Sequence, residues 1–360
     1  MIRFIYFTIL PILFLGLLYL MFWPVPIEPV AWDAPQNRGY VDDYAPNKEL
    51  AKIKRVSLGE YSGPEDLAVG PDGMVYTSTR EGSILRHVPG SGEVSVVADT
   101  KGYPLGVEFG PDGNLYVADA YKGLLKIDES GALTVLANKT SDGSPILFAD
   151  DLDITSEGIV YFTDASTKFG AEANGGGLPA SLLDIFEHGP NSRILKFDPA
   201  TGETTTIHEG MSFANGLALT KDEKHILVAE TGSYAIHKIP LDAPENARVI
   251  VSNLPGFPDN ISDNPDGTFW FGLTSPRSAP VDMLSGYPFV RKIVQRLPDF
   301  MRPQPRNYGF VARMDENGNI LETLQDPSGG YALTTGAIDG PNGAIYISSI
   351  VEPALAVLER

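Results

Sequence analysis

A short unit of a polar turn followed by an apolar strand recurs along the chain, and this repeat limits the possible folds more than any other feature. The first copy is Gly70-Pro71-Asp72-Gly73 followed by MVYTST, and further copies begin at residues 110, 156, 221, 264 and 340. Pro fixes φ and Gly accepts a positive φ, so Pro-Asp-Gly is typical of a tight turn. An apolar run also precedes each turn, which makes each copy a β-hairpin.

A second hairpin follows most copies of this unit. Examples are ILRHV with VSVVAD and LLKID with LTVLAN, which are joined by turn residues. Four strands per unit, at spacings of about 40–75 residues, predict an all-β chain folded as a six-bladed β-propeller. A β-sandwich is the alternative if only one hairpin of each unit forms.

Two units are longer than the others. We predict a propeller over residues 50–360 with insertions at about 167–192 and 275–308. Both insertions contain a helical pattern, SLLDIF in the first and FVRKIVQRLPDFM in the second. Because insertions in propellers map to loops, often on the binding face, these segments form either a lid or packing for the rim.

The N-terminus is apolar and differs in character from the repeats. Residues 4–22 read FIYFTILPILFLGLLYLMF and carry no charge, and about 20 apolar residues span a bilayer. We expect a single N-terminal transmembrane helix within residues 1–23 that acts as an uncleaved signal-anchor. A Pro-rich linker and lead-in would follow over residues 24–49, with the propeller on the extracytoplasmic side. A cleaved signal peptide and a buried core helix are the alternatives.

The composition excludes several classes of function. The chain has 27 Lys and Arg against 46 Asp and Glu, a net charge of −19, so we expect no nucleic-acid partner. It has no Cys, which excludes disulfides, thiolate zinc sites and a cysteine nucleophile. An acidic chain of this kind remains compatible with a cation site.

Acidic and amide residues begin several of the strands that precede the turns, as in Ala149-Asp150-Asp151-Leu152 and Pro258-Asp259-Asn260-Ile261. In a propeller these strand starts converge on the central channel. We predict a ring of oxygen ligands for Ca²⁺, which prefers six to eight oxygens, made by Glu65, Asp150, Asn215, Asp259 and Asn260. The absence of His and Cys at these places argues against zinc. Alternatively, each side chain only caps or solvates its turn.

The carboxylates next to this ring have two possible roles. Asp66 and Asp151 follow Glu65 and Asp150 directly. They either hold a second ion lower in the channel or accept hydrogen bonds from the backbone.

Several stretches resemble a known superfamily. FADDLDITSEGIVYFTDAS and LPGFPDNISDNPDGTFWFGL are similar to the calcium-dependent six-bladed propellers that include gluconolactonase, the paraoxonases and the strictosidine-synthase-like proteins. The branch most resembled is the strictosidine-synthase-like one, with adipocyte plasma-membrane-associated protein. The resemblance implies that Glu65, Asn215, Asp259 and Asn260 bind calcium. Asp150 stands where that family commonly has Asn, while Asp66 and Asp151 match positions linked to a structural calcium in paraoxonases.

The chain differs from the families it resembles at two positions. Leu105 stands where the paraoxonase-type catalytic His belongs, and Gly336 aligns with the essential Glu of strictosidine synthase. We therefore do not expect synthase activity.

The resemblance implies a membrane-anchored, calcium-dependent hydrolase of lactones or aryl esters. In this interpretation Asp259 or Asp150 is the base, the substrate is small and apolar, and residues 4–22 contact the membrane. A non-catalytic binding platform with a structural calcium ion is the main alternative. A different hydrolase or isomerase that uses the same metal is a third.

Overall fold

The polar turns of the repeat form the hairpins that the sequence predicts. In the computed structural model, which describes residues 9–360, the Gly73 N–H donates to the Gly70 carbonyl at 2.8 Å. Gly73 has φ of +73°, a conformation that glycine adopts without steric cost. The Asp72 carboxylate accepts from the Met74 N–H at 3.1 Å. This geometry closes the turn so that the flanking apolar segments pair.

Six four-stranded antiparallel sheets make up the described chain, so the six-bladed propeller is confirmed. The first three blades are β2–β5 (Leu67–Val69, Val75–Ser78, Ser83–His87, Val94–Asp99), β6–β9 (Pro104–Phe109, Leu115–Asp119, Gly123–Ile127, Leu133–Ala137) and β10–β13 (Ala149–Ile154, Val160–Asp164, Ser192–Asp198, Glu203–Met211). The next two are β14–β17 (Ala214–Leu219, His225–Glu230, Ala235–Pro240, Arg248–Val251) and β18–β21 (Gly256–Asp263, Thr268–Pro276, Gly309–Asp315, Ile320–Asp326).

The sixth blade joins the two ends of the propeller. Its strands β22 (Thr334–Asp339), β23 (Ile345–Ser349) and β24 (Ala354–Leu358) are completed by β1 (Lys54–Ser57). β1 pairs antiparallel with β24, with Arg55 opposite Ala356. This pairing joins the start of the propeller chain to its end and so closes the ring of blades.

Apolar clusters between neighbouring blades form the core. In one of them Leu124 from β8 packs with Phe162 from β11 and Leu195 from β12, and all three side chains are fully buried. The second strand of each blade is largely buried, because neighbouring blades pack on both faces of its sheet. The five residues of β11, for example, are all buried.

Three α-helices lie in the predicted insertions. The first insertion contains α2 (Gly177–Glu187), and the second contains α3 (Ala279–Met283) and α4 (Pro288–Gln295). The helical patterns read from the sequence therefore form helices, although α4 ends before the PDFM portion of its pattern. The lead-in also packs on this side of the molecule, since Ile27 is fully buried beside Phe148 and Phe213.

The described part of the apolar N-terminus is one helix, α1 (Leu10–Phe22), with 13 residues and none of them buried. Among residues 9–360, no helix has both the length and the apolar character needed to cross a bilayer. Residues 4–8 of the expected span lie outside the described part of the chain. The transmembrane helix therefore stays a prediction.

Candidate metal and substrate site

A repeated irregularity in the inner strands determines where the predicted ligands lie. In β10, for example, the three steps from Ala149 to Leu152 face the two steps from Asp164 to Phe162, which is a β-bulge. The same offset occurs in the inner strands β6, β14, β18 and β22. Bulges re-aim side chains beside functional sites. The residues in these bulges include Asp150, Asn215, Asp259 and Asn260.

The structure brings the predicted ligands together around one point. A cavity of about 70 Å³ is lined by four of them, Glu65, Asp150, Asn215 and Asp259. The fifth, Asn260, reaches across from the fifth blade to the first. Its side-chain N–H group donates to the Glu65 carbonyl at 3.0 Å and to Glu65 Oε1 at 3.1 Å. The residues therefore converge, whereas their role as ligands stays a prediction.

Several acceptor oxygens at this point have no donor. Within residues 9–360, seven buried side-chain atoms lack a hydrogen-bond partner, and three of these are Glu65 Oε2, Asn215 Oδ1 and Asn260 Oδ1. A buried oxygen without a partner is costly, and such atoms are rare in folded proteins. Carboxylate and amide oxygens are the ligands that Ca²⁺ prefers. The donor set therefore fits a hard cation.

The carboxylates of the site resist ionisation. Burial, with the nearby charge of Asp259 as the next cause, raises the pKa of both Glu65 and Asp150 well above its ordinary value. Burial also raises the pKa of Asp259 to about 7, although a hydrogen bond from the Asn215 side chain acts in the opposite direction and lowers it. A bound cation would favour the charged forms and so remove this penalty.

Carboxylates alone do not complete the site. In the described residues 9–360, no group of three or more His, Cys, Asp or Glu side chains is arranged to hold a metal ion. An ion at this point would therefore depend on the amide oxygens of Asn215 and Asn260 as well. This requirement agrees with the mixed ring of carboxylates and amides that the sequence predicts.

The neighbouring carboxylates bind backbone. Asp66 Oδ2 accepts from the Val107 N–H at 2.8 Å, and Asp151 Oδ2 accepts from the Leu217 N–H at 2.8 Å. Each contact joins the inner strands of adjacent blades. Of the two roles considered for these residues, the structure shows the hydrogen-bonding one.

Three hydroxyl groups hold the starts of inner strands in place and were missed by the sequence analysis. Ser78, Thr163 and Ser348 accept from the backbone N–H groups of Asp66, Asp151 and Gly336 at 3.3, 3.0 and 2.9 Å. The sequence did contain a signal for them. Each hydroxyl occupies the fifth position of its repeated strand, in MVYTST, IVYFTD and AIYISS.

The two departures from the resembled families lie at the channel. Leu105 lines the small cavity and is 6% exposed, so an apolar side chain stands where the paraoxonase-type His was expected. A Cβ atom added to Gly336 would lie 3.3 Å from the Cβ of Asn260. A Glu at this position would therefore crowd Asn260.

A larger cavity adjoins the small one. It has a volume of about 470 Å³, and it shares Phe213, Asn215 and Asp259 with the small cavity. Leu182 of α2 and Phe257 contribute to its apolar wall. Residues of the second insertion also line it, so both insertions cover the site as well as packing on the rim.

Comparisons with known proteins agree with this architecture. Residues 150–244 match the family model for strictosidine synthase, and residues 42–87 match the model for the strictosidine synthase-like N-terminal region. An adipocyte plasma membrane-associated protein from Salmo salar is 32% identical over 342 residues, which cover 88% of this chain and 80% of that protein. The protein STRICTOSIDINE SYNTHASE-LIKE 3 from Arabidopsis thaliana is 31% identical over 332 residues, which cover 84% and 83% of the two chains.

Solved structures share the fold. A gluconolactonase from Xanthomonas campestris superposes with a TM-score of 0.63 at 17% identity, covering 92% of this chain and 97% of that one. Regucalcin from Agrobacterium tumefaciens, described as a calcium-binding protein, gives 0.59 at 16% identity and covers 85% and 93%. The chain belongs to the family of strictosidine synthase-like proteins and adipocyte plasma membrane-associated proteins.

Proposed function

We propose that this protein is a membrane-anchored, calcium-dependent hydrolase of lactones or aryl esters. One observation carries the proposal: a small pocket lined by the unpartnered oxygens of Glu65 and Asn215 adjoins a larger, mostly apolar cavity. Such a pair can hold a cation beside the apolar part of a substrate. Ligand sites of this kind combine apolar walls with a few polar groups.

The side chains have distinct roles in this proposal. Glu65, Asp150, Asn215, Asp259 and Asn260 would hold the ion. Bound there, calcium would supply a Lewis acid that polarises the substrate carbonyl and stabilises its developing negative charge.

A carboxylate oxygen of Asp259 or Asp150 would accept a proton from water as the water oxygen bonds to the carbonyl carbon. The ester or lactone C–O bond would then break as the carboxyl group returns this proton to the leaving oxygen.

The membrane attachment rests on the N-terminal sequence. Residues 4–22 are uncharged, and Arg3 precedes them, which favours an anchor with the propeller on the extracytoplasmic side. Relatives carry the name plasma membrane-associated protein, which supports membrane association.

A non-catalytic binding platform with a structural calcium ion is the second candidate. Leu105 in the cavity wall favours this second candidate, because the paraoxonase-type mechanism needs a His at that position and Leu carries no imidazole. Calcium binding without turnover of any ester or lactone would select this candidate.

Calcium titration of the purified full chain, combined with assays on a panel of lactones and phenyl esters, tests the proposal. We expect calcium to raise the thermal unfolding midpoint and to be required for turnover. Asn215→Ala and Asp259→Ala should each lose calcium binding, while Asp43→Ala, at an exposed position, should retain it. Unchanged stability and turnover across the titration would reject the proposal.

A further inference from the structure

The second insertion exposes large apolar side chains at close spacing. We define the insertion face as Met283, Tyr287, Phe289, Val290, Phe300 and Met301. Phe300 is 84% exposed and Met283 is 74% exposed. The other large apolar side chains exposed on the blades, such as Val135 and Leu321, are scattered among different strands. Single exposed apolar residues are ordinary, whereas a concentrated set marks an interaction surface.

The insertion that carries this face holds the end of the N-terminal helix. Arg296 Nη1 donates to the Leu20 carbonyl at 2.9 Å, and Arg296 Nε donates to the Trp23 carbonyl. The Tyr19 hydroxyl donates to the Arg296 carbonyl at 3.2 Å. Phe22 of α1 is 72% exposed and Trp23 is 60% exposed. Two unburied apolar elements are therefore joined by hydrogen bonds.

The charge of the insertion is opposite to that of the chain. Residues 275–308 contain six Lys and Arg against two Asp, although the chain as a whole has a net charge of −19. Arg277, Arg291 and Arg296 are buried, whereas Lys292 and Arg302 are partly exposed and Arg306 is exposed. Arg302 lies one residue after the exposed pair Phe300 and Met301. Apolar side chains next to basic ones are the pattern of segments that lie in the headgroup region of anionic membranes.

We infer that the insertion face docks on an anionic phospholipid bilayer beside the anchor. Its apolar side chains enter the headgroup region, and Lys292, Arg302 and Arg306 face the lipid phosphates. The inference rests on the proposed membrane anchor, but it goes beyond the hydrolase activity and needs neither calcium nor turnover. It specifies how the propeller is oriented on the membrane.

This orientation of the propeller on the membrane brings the 470 Å³ cavity close to the lipid. Gln295, Asp299 and Arg302 of the same insertion line the 470 Å³ cavity. Docking therefore places that wall of the cavity at the lipid surface, where apolar ligands concentrate.

Because the chain has no Cys, single reporter cysteines test the inference in the full chain. Phe300→Cys and, as the matched control, Leu321→Cys on β21 are labelled with a polarity-sensitive nitrobenzoxadiazole dye. Leu321 is 54% exposed and lies outside the insertion. Both labelled chains are reconstituted in vesicles of phosphatidylcholine, with or without phosphatidylserine.

We expect the label at position 300 to shift to shorter wavelength and to be quenched by nitroxide-labelled lipids. Phosphatidylserine should strengthen both effects, and the label at position 321 should show neither. Equal emission and equal lipid quenching at the two positions would overturn the inference. A shift at position 300 that occurs without vesicles and grows with protein concentration would also overturn it, because a second copy of the chain would then cover the face.

Discussion

Gly216 tests how closely the inner strands pack around the site. A Cβ atom built on Gly216 would lie 2.3 Å from the Asp259 carbonyl oxygen and 2.4 Å from the Ile261 nitrogen. Both atoms are backbone atoms of the neighbouring blade, so no side-chain rotation relieves the clash in Gly216→Ala. Overpacking costs about 1–3 kcal/mol and occasionally more. We expect the upper end, about 3 kcal/mol, because two inner strands must separate.

Thermal unfolding with and without calcium measures the effect. A cost of about 3 kcal/mol corresponds to a fall of roughly 6 °C in the unfolding midpoint for a large domain. Calcium affinity should fall as well, because Gly216 lies between Asn215 and the backbone of Asp259. The control is Gly92→Ala, where the added Cβ meets no atom within 4 Å. Equal midpoints and equal affinities for the two variants would refute this account of the packing.

Three further predictions concern the channel and the cavity. Asn260→Asp replaces the side-chain donor to Glu65 with a further carboxylate. The unfolding midpoint of this variant should therefore be lowered in the presence of a chelator and should recover when calcium is added. Equal midpoints under the two conditions would contradict the proposed site. Burial, followed by the charge of Asp263, raises the pKa of Asp153 to about 8, whereas an unfolded Asp titrates near about 3.9. The folded state should therefore lose stability as pH rises from about 4 to about 8. Asp153→Asn should lessen this loss, measured as the change of the unfolding midpoint with pH. The same pH dependence in the variant and the unchanged chain would contradict the assignment to Asp153. Leu182→Trp should fill part of the 470 Å³ cavity. We expect KM for bulky phenyl esters to rise while calcium affinity stays unchanged. An unchanged KM would show that the substrate binds elsewhere.

The repeat made most of the fold predictable from sequence. Turns such as Gly70–Gly73 act locally, so their chemistry can be read without knowing what the hairpin packs against. The closure of the sixth blade could not be read in this way. Lys54–Ser57 pairs with Ala354–Leu358, which is about 300 residues away, and no turn in the sequence joins the two strands.

The convergence of the site was predictable, but its support was not. Glu65, Asp150, Asn215 and Asp259 share one phase of the repeat, so the propeller symmetry brings them to one cavity. The bulges that aim them depend on strand register, and the sequence analysis assigned no register. The cover of the cavity depends on how α2 and the second insertion pack, which their helical patterns alone do not determine.

The most direct test of the central claim is a crystal structure of the full chain with calcium. We predict an ion in the channel with oxygens of Glu65, Asn215 and Asp259 at about 2.3–2.6 Å, the range for calcium. A well-ordered channel at saturating calcium with only water between these side chains, or an ion bound on the outer rim, would contradict the account.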